Sequence, residues 1–373
     1  QAFDSLQVEP LRRRDARITA FVKAEKFNHA DKENPDPRMI QARTPRYNLH
    51  LARYLRPLEH LVYGIKKHEL PVIAKCLNPT QRADLIIKKW ALFRRPVCFS
   101  IDCSRWDKHV TREMLEVEHQ FYRKWYPGDV ELTRLLEWQT ENRCRTNNGV
   151  KYKVSGGRMS GDMNTALGNC TLMLGMVTDA MDRMDIHYEV VDDGDDCLVL
   201  IEEEDFDRVR SYLPARFLEY GQELKIENVA RHPQEVVFCQ CKLTLGSRGW
   251  VMARPWKKVL SQSCCGTKNW NDPKFVPAMF GLLGDCENAL HSGIPILQVF
   301  ATRLRELSGG ARARLEHLDA SYQYRVGSLR VEDIRHEAEA PITMEARFEF
   351  ERTWGTPIWE QLAVEHHLRQ WEP

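Results

Sequence analysis

Apolar and polar positions change period along the chain, and those changes mark its elements. Residues 17–23 alternate as a strand does, and residues 38–43 are again extended. Between them Asn34-Pro35-Asp36-Pro37 predicts a turn or loop, because each proline restricts the residue before it. Leu51, Leu55, Leu58 and Val62 recur at helical spacing and predict a helix over 48–63, despite Pro57. A helix over 82–93 follows. After Pro96 comes a short buried strand, 97–102, that ends on an acid. Helices are predicted over 111–125 and, past the Pro127-Gly128 break, to about residue 142; Asn147-Asn148-Gly149 has hairpin-turn chemistry. A glycine-rich polar loop, 155–164, feeds a helix from Thr165 to about Met184. Residues 188–201 read as two apolar strands around an acidic tip. Beyond them lie a helix over 206–221 with a kink at Pro214, a strand over 222–227, and one strand over 235–245. The turn 246–249 and a strand over 250–253 complete this part. From about Pro255 the pattern is mostly helical, with Trp256, Trp270, Trp354, Trp359 and Trp371 as core residues.

The acidic tip is the stretch the rest is organised around. Asp192-Asp193-Gly194-Asp195-Asp196 packs four carboxylates about one glycine, and Asp193-Gly194 is a strong tight-hairpin signal. Charges that close repel one another. The usual compensation is a divalent cation with oxygen ligands, most often Mg²⁺ where phosphates are handled. The bland alternative is a solvated acidic turn. Asp102, at the exit of the buried strand, adds a second acid. Two adjacent antiparallel strands would bring Asp102 and Asp195 to one end of a sheet, with carboxylates for two cations about 3.5–4 Å apart. In the loop before residue 165 the glycines allow close backbone approach to a ligand, and the helix start presents free N–H groups. Thr165 and Asn169, spaced i and i+4, share one helix face.

Composition narrows the field. The chain has 373 residues, more than one core usually organises, so two or three lobes are expected. Hydrophobic content of 43% and charged content of 29% describe an ordinary globular protein. A net charge of +1 excludes a generic polyanion binder, so local asymmetry carries the signal. That asymmetry lies in residues 11–67, where arginine and lysine far outnumber acids; spacing alone slightly favours a solvated basic surface there over a wall of two basic strands for triphosphate or nucleic-acid backbone. The eleven cysteines form no CxxC pair, which predicts a reduced, cytosol-like compartment. No apolar run reaches the roughly 18–20 residues that span a bilayer. The first residue is Gln, and the chain is expected to be part of something longer, with any membrane anchor in that missing part.

Asp102 with Asp107, then Ser160-Gly161, Thr165 and Asn169, then Gly194-Asp195-Asp196, then Lys225, resembles the ordered motif series of viral RNA-dependent RNA polymerases. The finer likeness is to the tombusvirus-like group of positive-strand RNA viruses. It is carried by residues 21–26 (FVKAEK), 37–48 (PRMIQARTPRYN), 53–59 (RYLRPLE) and 158–169, and covers roughly residues 15 to 260. The resemblance implies an α+β right-hand polymerase with fingers, palm and thumb: an antiparallel palm sheet flanked by helices, and a mostly helical thumb. Fingers would occupy 1–97 with an insertion at 113–154, palm 98–112 and 155–245, thumb 246–373.

The same resemblance assigns roles. Asp102 and Asp195 would be the principal ligands of two Mg²⁺ ions, for which Mn²⁺ can substitute, and Asp196 a secondary one. Asp107 and Asn169 would sense the ribose 2′-OH, with Thr165 nearby. Ser160 and Gly161 would support template and nucleotide. Lys225 would be the general acid for pyrophosphate. Lys23, Arg38 and Arg43 would line the nucleotide channel and contact phosphates, and Phe238-Cys239-Gln240 would lie near the primer strand. Implied partners are template and nascent RNA, NTPs, other viral replication proteins and host factors, at membrane-associated replication complexes in the host cytoplasm. Membrane association would run only through the missing N-terminal region. Initiation would be primer-independent. Asp192-Asp193 departs from the less acidic residues that often stand there; the extra charge would be solvated or would tune metal affinity. Gly157 and Cys241-Lys242 depart as well. Other readings are a reverse transcriptase, against which the Asp107/Asn169 pair stands, a catalytically silent RNA-binding replication subunit, against which the intact acid set stands, and a two-metal nuclease.

Overall fold

The computed structural model describes residues 1–26, 36–266, 270–318, 322–323, 334 and 338–372. The expected turn at 34–37 therefore falls partly outside the described residues. The chain divides into two compact units, one of Gln1–Lys75 with Ser100–Glu227, the other of Cys76–Phe99 with Asn228–Pro373.

The first unit contains every expected site residue except Phe238-Cys239-Gln240, which lie in the second. One sheet runs in the order Met39–Ala42, Ile18–Val22, Glu141–Thr146, Lys151–Ser155. Ile18–Val22 pairs parallel with Glu141–Thr146, and the other two pairings are antiparallel. A second sheet runs in the order Leu224–Ala230, Pro96–Cys103, Cys197–Glu202, Tyr188–Asp192; its stretches 100–103, 188–202 and 224–227 belong to this unit. Tyr188–Asp192 is buried throughout, Glu189 and Asp192 included, so this strand has no solvent-facing side. Helices Pro45–Tyr63, Arg112–Trp125, Val130–Thr140 and Thr165–Asp182 enclose a core that includes Leu51, Leu55, Tyr122, Leu135 and Leu167.

The second unit holds helix Pro79–Trp90 and a three-stranded sheet, Val237–Phe238, Cys241–Gly246, Gly249–Ala253. It continues in helices Trp256–Gln262, Val276–His291, Leu297–Leu307, Met344–Trp354 and Ile358–Gln370, around a core including Phe280, Leu283, Phe300 and Phe350.

Three boundaries differ from the expectation, each for a local reason. The helix expected from residue 48 starts at Pro45, because the Thr44 hydroxyl accepts from the Tyr47 N–H (3.3 Å) and proline suits the first helical position. The helix expected to reach residue 142 stops at Thr140, and Glu141–Thr146 is a strand with Asn142 and Cys144 inward and Arg143 and Arg145 outward. The single strand expected over 235–245 is broken at Cys239 and Gln240, whose φ values of 49° and 60° turn the chain into a hairpin. Two consecutive left-handed residues with neither glycine nor asparagine leave no sequence signal.

Candidate active site

The acidic tip closes as a four-residue turn. Asp192 pairs with Cys197, the Asp193 N–H donates to the Asp196 carbonyl (2.8 Å), and Gly194 takes φ +103°, which suits glycine. Its four aspartates divide in two. Asp195 and Asp196 are exposed, whereas Asp192 and Asp193 are buried. The segment 72–75 explains the burial: it lies beside the strand, with Asp192 N–H donating to the Val72 carbonyl (2.8 Å) and Ala74 N–H donating to the Asp192 carbonyl (2.7 Å). Lys75 then places its ammonium on the Asp193 carboxylate and donates to the Asp193 carbonyl (2.9 Å). The solvated placement expected for this extra charge is thus corrected. Asp192 has no ammonium of its own. Burial drives its carboxyl well above the usual carboxylate range, against the weaker opposing pull of the Cys170 thiol and the Gly194 backbone N–H, and the Asp193 charge adds to the rise.

Asp102 leaves the sheet on the strand next to Cys197–Glu202, and is exposed. Cys103, buried behind it, reports the company it keeps: its thiol is pushed up to about 12, by burial first and then by the charges of Asp102 and Asp195 together. The charges of both acids thus reach one buried thiol, although the two lie 93 residues apart in sequence. On the other side, Ser104 N–H donates to the Glu223 carbonyl (2.9 Å) and the Ser100 hydroxyl to the Glu227 carbonyl (3.1 Å). Strand 224–230 therefore runs against strand 96–103 with Lys225 across from Asp102, and both side chains are exposed.

Asp107 and Asn169 meet directly. The Asn169 Oδ1 accepts from Arg158 Nε (2.9 Å), which leaves its amide NH₂ to favour the ionised form of Asp107. Burial and the Asp195 charge raise the Asp107 carboxyl above its ordinary value, against the opposing pull of Arg158, Asn169 and Arg38. Arg158 is itself fixed: its NH1 reaches Glu118 Oε1 (3.2 Å) and its NH2 bonds Glu118 Oε2, both groups fully buried. Glu118 also accepts from Tyr122 (2.7 Å) and Asn164 (2.8 Å). Burial would raise the Glu118 carboxyl, yet the Arg158 guanidinium outweighs it and holds it below the ordinary value. A Cβ at Gly168 would land on the Glu118 carboxylate and beside Arg158, so this helix position must be glycine for the ion pair to cross it.

The loop over 155–164 is pinned on both sides. Arg158 N–H donates to the Asp107 carbonyl (2.8 Å) and Gly157 N–H to the Val110 carbonyl (2.8 Å). On the other side Gln41 N–H donates to the Ser160 hydroxyl (3.1 Å) and Gly161 N–H to the Gln41 carbonyl (2.9 Å). Gly161 lies so close that an added Cβ would sit 2.8 Å from Ala42 Cα. Thr165 spends its hydroxyl proton on the loop's own carbonyls, Met159 (3.0 Å) and Asp162 (2.9 Å).

Of the three basic residues expected along the channel, Lys23 and Arg38 are at least partly exposed, and both pair with Glu25 (2.7 and 3.2 Å). Arg43 is the correction. Its side chain is fully buried, and its five donors go to Asp162 (2.6 and 3.2 Å), Asn142 (2.6 Å) and the carbonyls of Ala16 (2.7 Å) and Trp138 (3.2 Å). A guanidinium satisfied in this way braces the loop through Asp162 and has no donor left for a phosphate.

Among the described residues no three His, Cys, Asp or Glu side chains form a metal cage. A magnesium-type ion binds through one or two carboxylates and keeps waters and phosphates as its other ligands. The donor set of Asp102 and Asp195, all hard oxygen and open to solvent, matches this chemistry. Sequence reading passed over Lys75, Glu118 and the role of Arg158. Their partners lie 118, 40 and 11 residues away, and no local pattern announces them.

With the geometry in place, comparison with known proteins gives the class. The profile of the family described as "Viral RNA dependent RNA polymerase" matches residues 1–373, and the chain belongs to that family. It is similar to the RNA-directed RNA polymerase of groundnut rosette virus (strain MC1), 36% identical over 98% of this chain and 43% of that protein. Those of turnip crinkle virus (33% identity, 100% of this chain, 49% of that protein) and tobacco necrosis virus strain A (35%, 82% and 43%) are similar as well. The chain spans less than half the length of these relatives.

Proposed function

We propose that the chain carries the nucleotidyl-transfer centre of an RNA-dependent RNA polymerase that copies a positive-strand RNA virus genome. The observation that carries this reading is the convergence of two exposed carboxylates, Asp102 and Asp195, beside the Asp107–Asn169 pair. The 3′-OH of the nascent RNA attacks the α-phosphate of a template-matched NTP, and pyrophosphate leaves. Bound Mg²⁺ would supply charge stabilisation for that displacement and a more acidic 3′-hydroxyl. Asp102 and Asp195 would hold the two ions, with Asp196 assisting. Asp107 accepts from the ribose 2′-OH while Asn169, its amide oriented by Arg158, donates to it. Lys225, across from Asp102, gives a proton to the departing pyrophosphate. Lys23 and Arg38 meet the triphosphate once Glu25 yields them. Ser160 and Gly161 support template and nucleotide from the pinned loop. In this reading the first sheet belongs to the fingers, the second to the palm, and the C-terminal helices to the thumb. Initiation without a primer is part of the reading, with no priming residue assigned.

The test is incorporation on an RNA template by the purified chain, beside a longer chain that includes the part of the relatives this chain does not cover. Lengthening of a labelled RNA that needs Mg²⁺ and prefers NTP to dNTP is expected. RNA shortened instead, a preference for dNTP, or RNA binding without synthesis by either chain overturns the reading.

A further inference from the structure

The sheet over residues 18–22, 39–42, 141–146 and 151–155 has two faces of opposite character. The inner one carries Ile18, Cys144, Tyr152 and Val154 against Met159 of the pinned loop. Among the described residues nothing buries the cations of the outer one. In the hairpin's antiparallel register Arg143 stands directly across from Lys153, and Arg145 directly across from Lys151. All four side chains are exposed, and none makes an ion pair among the described residues. Arg17 continues the row at the start of the neighbouring strand, and Phe21 adds an exposed aromatic ring further along it. Beside Arg17 and Arg143 the face dips into a recess of about 130 Å³. Its one acid, Glu141, is drawn away by Arg112 (3.3 Å) and the Ser155 hydroxyl (2.8 Å).

Like charges directly opposite each other destabilise a hairpin, and here two such pairs sit side by side. The whole chain is close to neutral, at +1, so nothing in its composition forces five cations onto one sheet face. By strand geometry the face extends about 14 Å across its four strands and about 20 Å along them. That is longer than one triphosphate and suits a run of nucleotides, with backbone phosphates over the cations and a base over the aromatic ring. Arg143, Arg145, Lys151 and Lys153 have no part in the proposed reaction.

We infer that this outer face is a second RNA-binding surface, which holds a single strand by its backbone without reading sequence. It rests on the polymerase reading only for where the strand comes from. Binding and synthesis are therefore measured separately.

The variant R143Q/R145Q/K151Q/K153Q is compared with the unchanged chain by titration of a labelled single-stranded RNA over a series of salt concentrations. Four lost phosphate contacts lower the slope of log K against log salt by about 3. The melting temperature stays the same or rises, because the opposed charges are gone. Incorporation at saturating RNA remains. If the four-fold variant does not fold, K151Q/K153Q on the edge strand is expected to lower the slope by about half as much. An unchanged slope overturns the inference. So does a response confined to the KM for NTP, or to binding of phosphatidylserine vesicles. Failure of Mg²⁺-dependent synthesis in the unchanged chain would sink the polymerase reading and leave this binding result standing.

Discussion

Asp192-Asp193 and Asp195-Asp196 are the same dipeptide on either side of one glycine, yet the fold treats them as opposites. The first pair is sealed beneath the segment 72–75; one of its members is neutralised by Lys75, and the other has its ionised form suppressed by burial. The second pair stands in solvent with its charge available. A carboxylate can ligate a hard cation only if it is ionised and reachable, so of these two pairs only the second could serve one. The difference comes from the parallel bridge between Ile73 and Asp192, a contact no reading of the tip itself contains.

Three substitutions would break or sharpen that contrast. Asp195→Asn removes an exposed ligand and leaves the turn intact. Incorporation should fall roughly a thousandfold or more, several kcal/mol of barrier, with the melting curve unchanged; normal incorporation by the folded variant would end the metal assignment. Lys75→Met strands the Asp193 carboxylate in a buried place. A loss of about 3 kcal/mol in denaturant unfolding is expected, as when one partner of a buried pair is removed. If stability is unaffected, Lys75 does not hold the turn. Asp192→Asn has the smallest effect and the opposite sign. An acid whose folded pKa is raised keeps its full stability only below its unfolded value, about 4, and loses stability as pH rises toward the folded value. The amide has no such loss, so the variant should gain on the order of 1 kcal/mol at neutral pH and show a flatter profile above pH 4. A parallel pH profile for the two proteins would refute the buried, protonated state.

How much of this was legible in the sequence depends on how far apart the partners lie. The family was readable because its motifs recur in order; Asp102, Asp195 and Asn169 stood out in the residues themselves, whereas Asp107 was named only through the resemblance. What the spacing could not contain was burial. Arg43 sits in a basic run and reads as a phosphate contact, but its carboxylate partner Asp162 is 119 residues away and takes it inside. The strand Glu141–Thr146 was absorbed into the preceding helix because its outward side is charged and its inward side offers only Asn142 and Cys144. The Cys239-Gln240 turn was hidden because its backbone conformation uses residues that rarely adopt it.

Gly168 carries the last consequence. Its hydrogen atom is the clearance through which the Arg158–Glu118 link passes on its way to Asn169. Even alanine, the smallest step available to a mutating gene, closes that gap. The orientation of the Asn169 amide is thus tied to an atom that no side chain supplies.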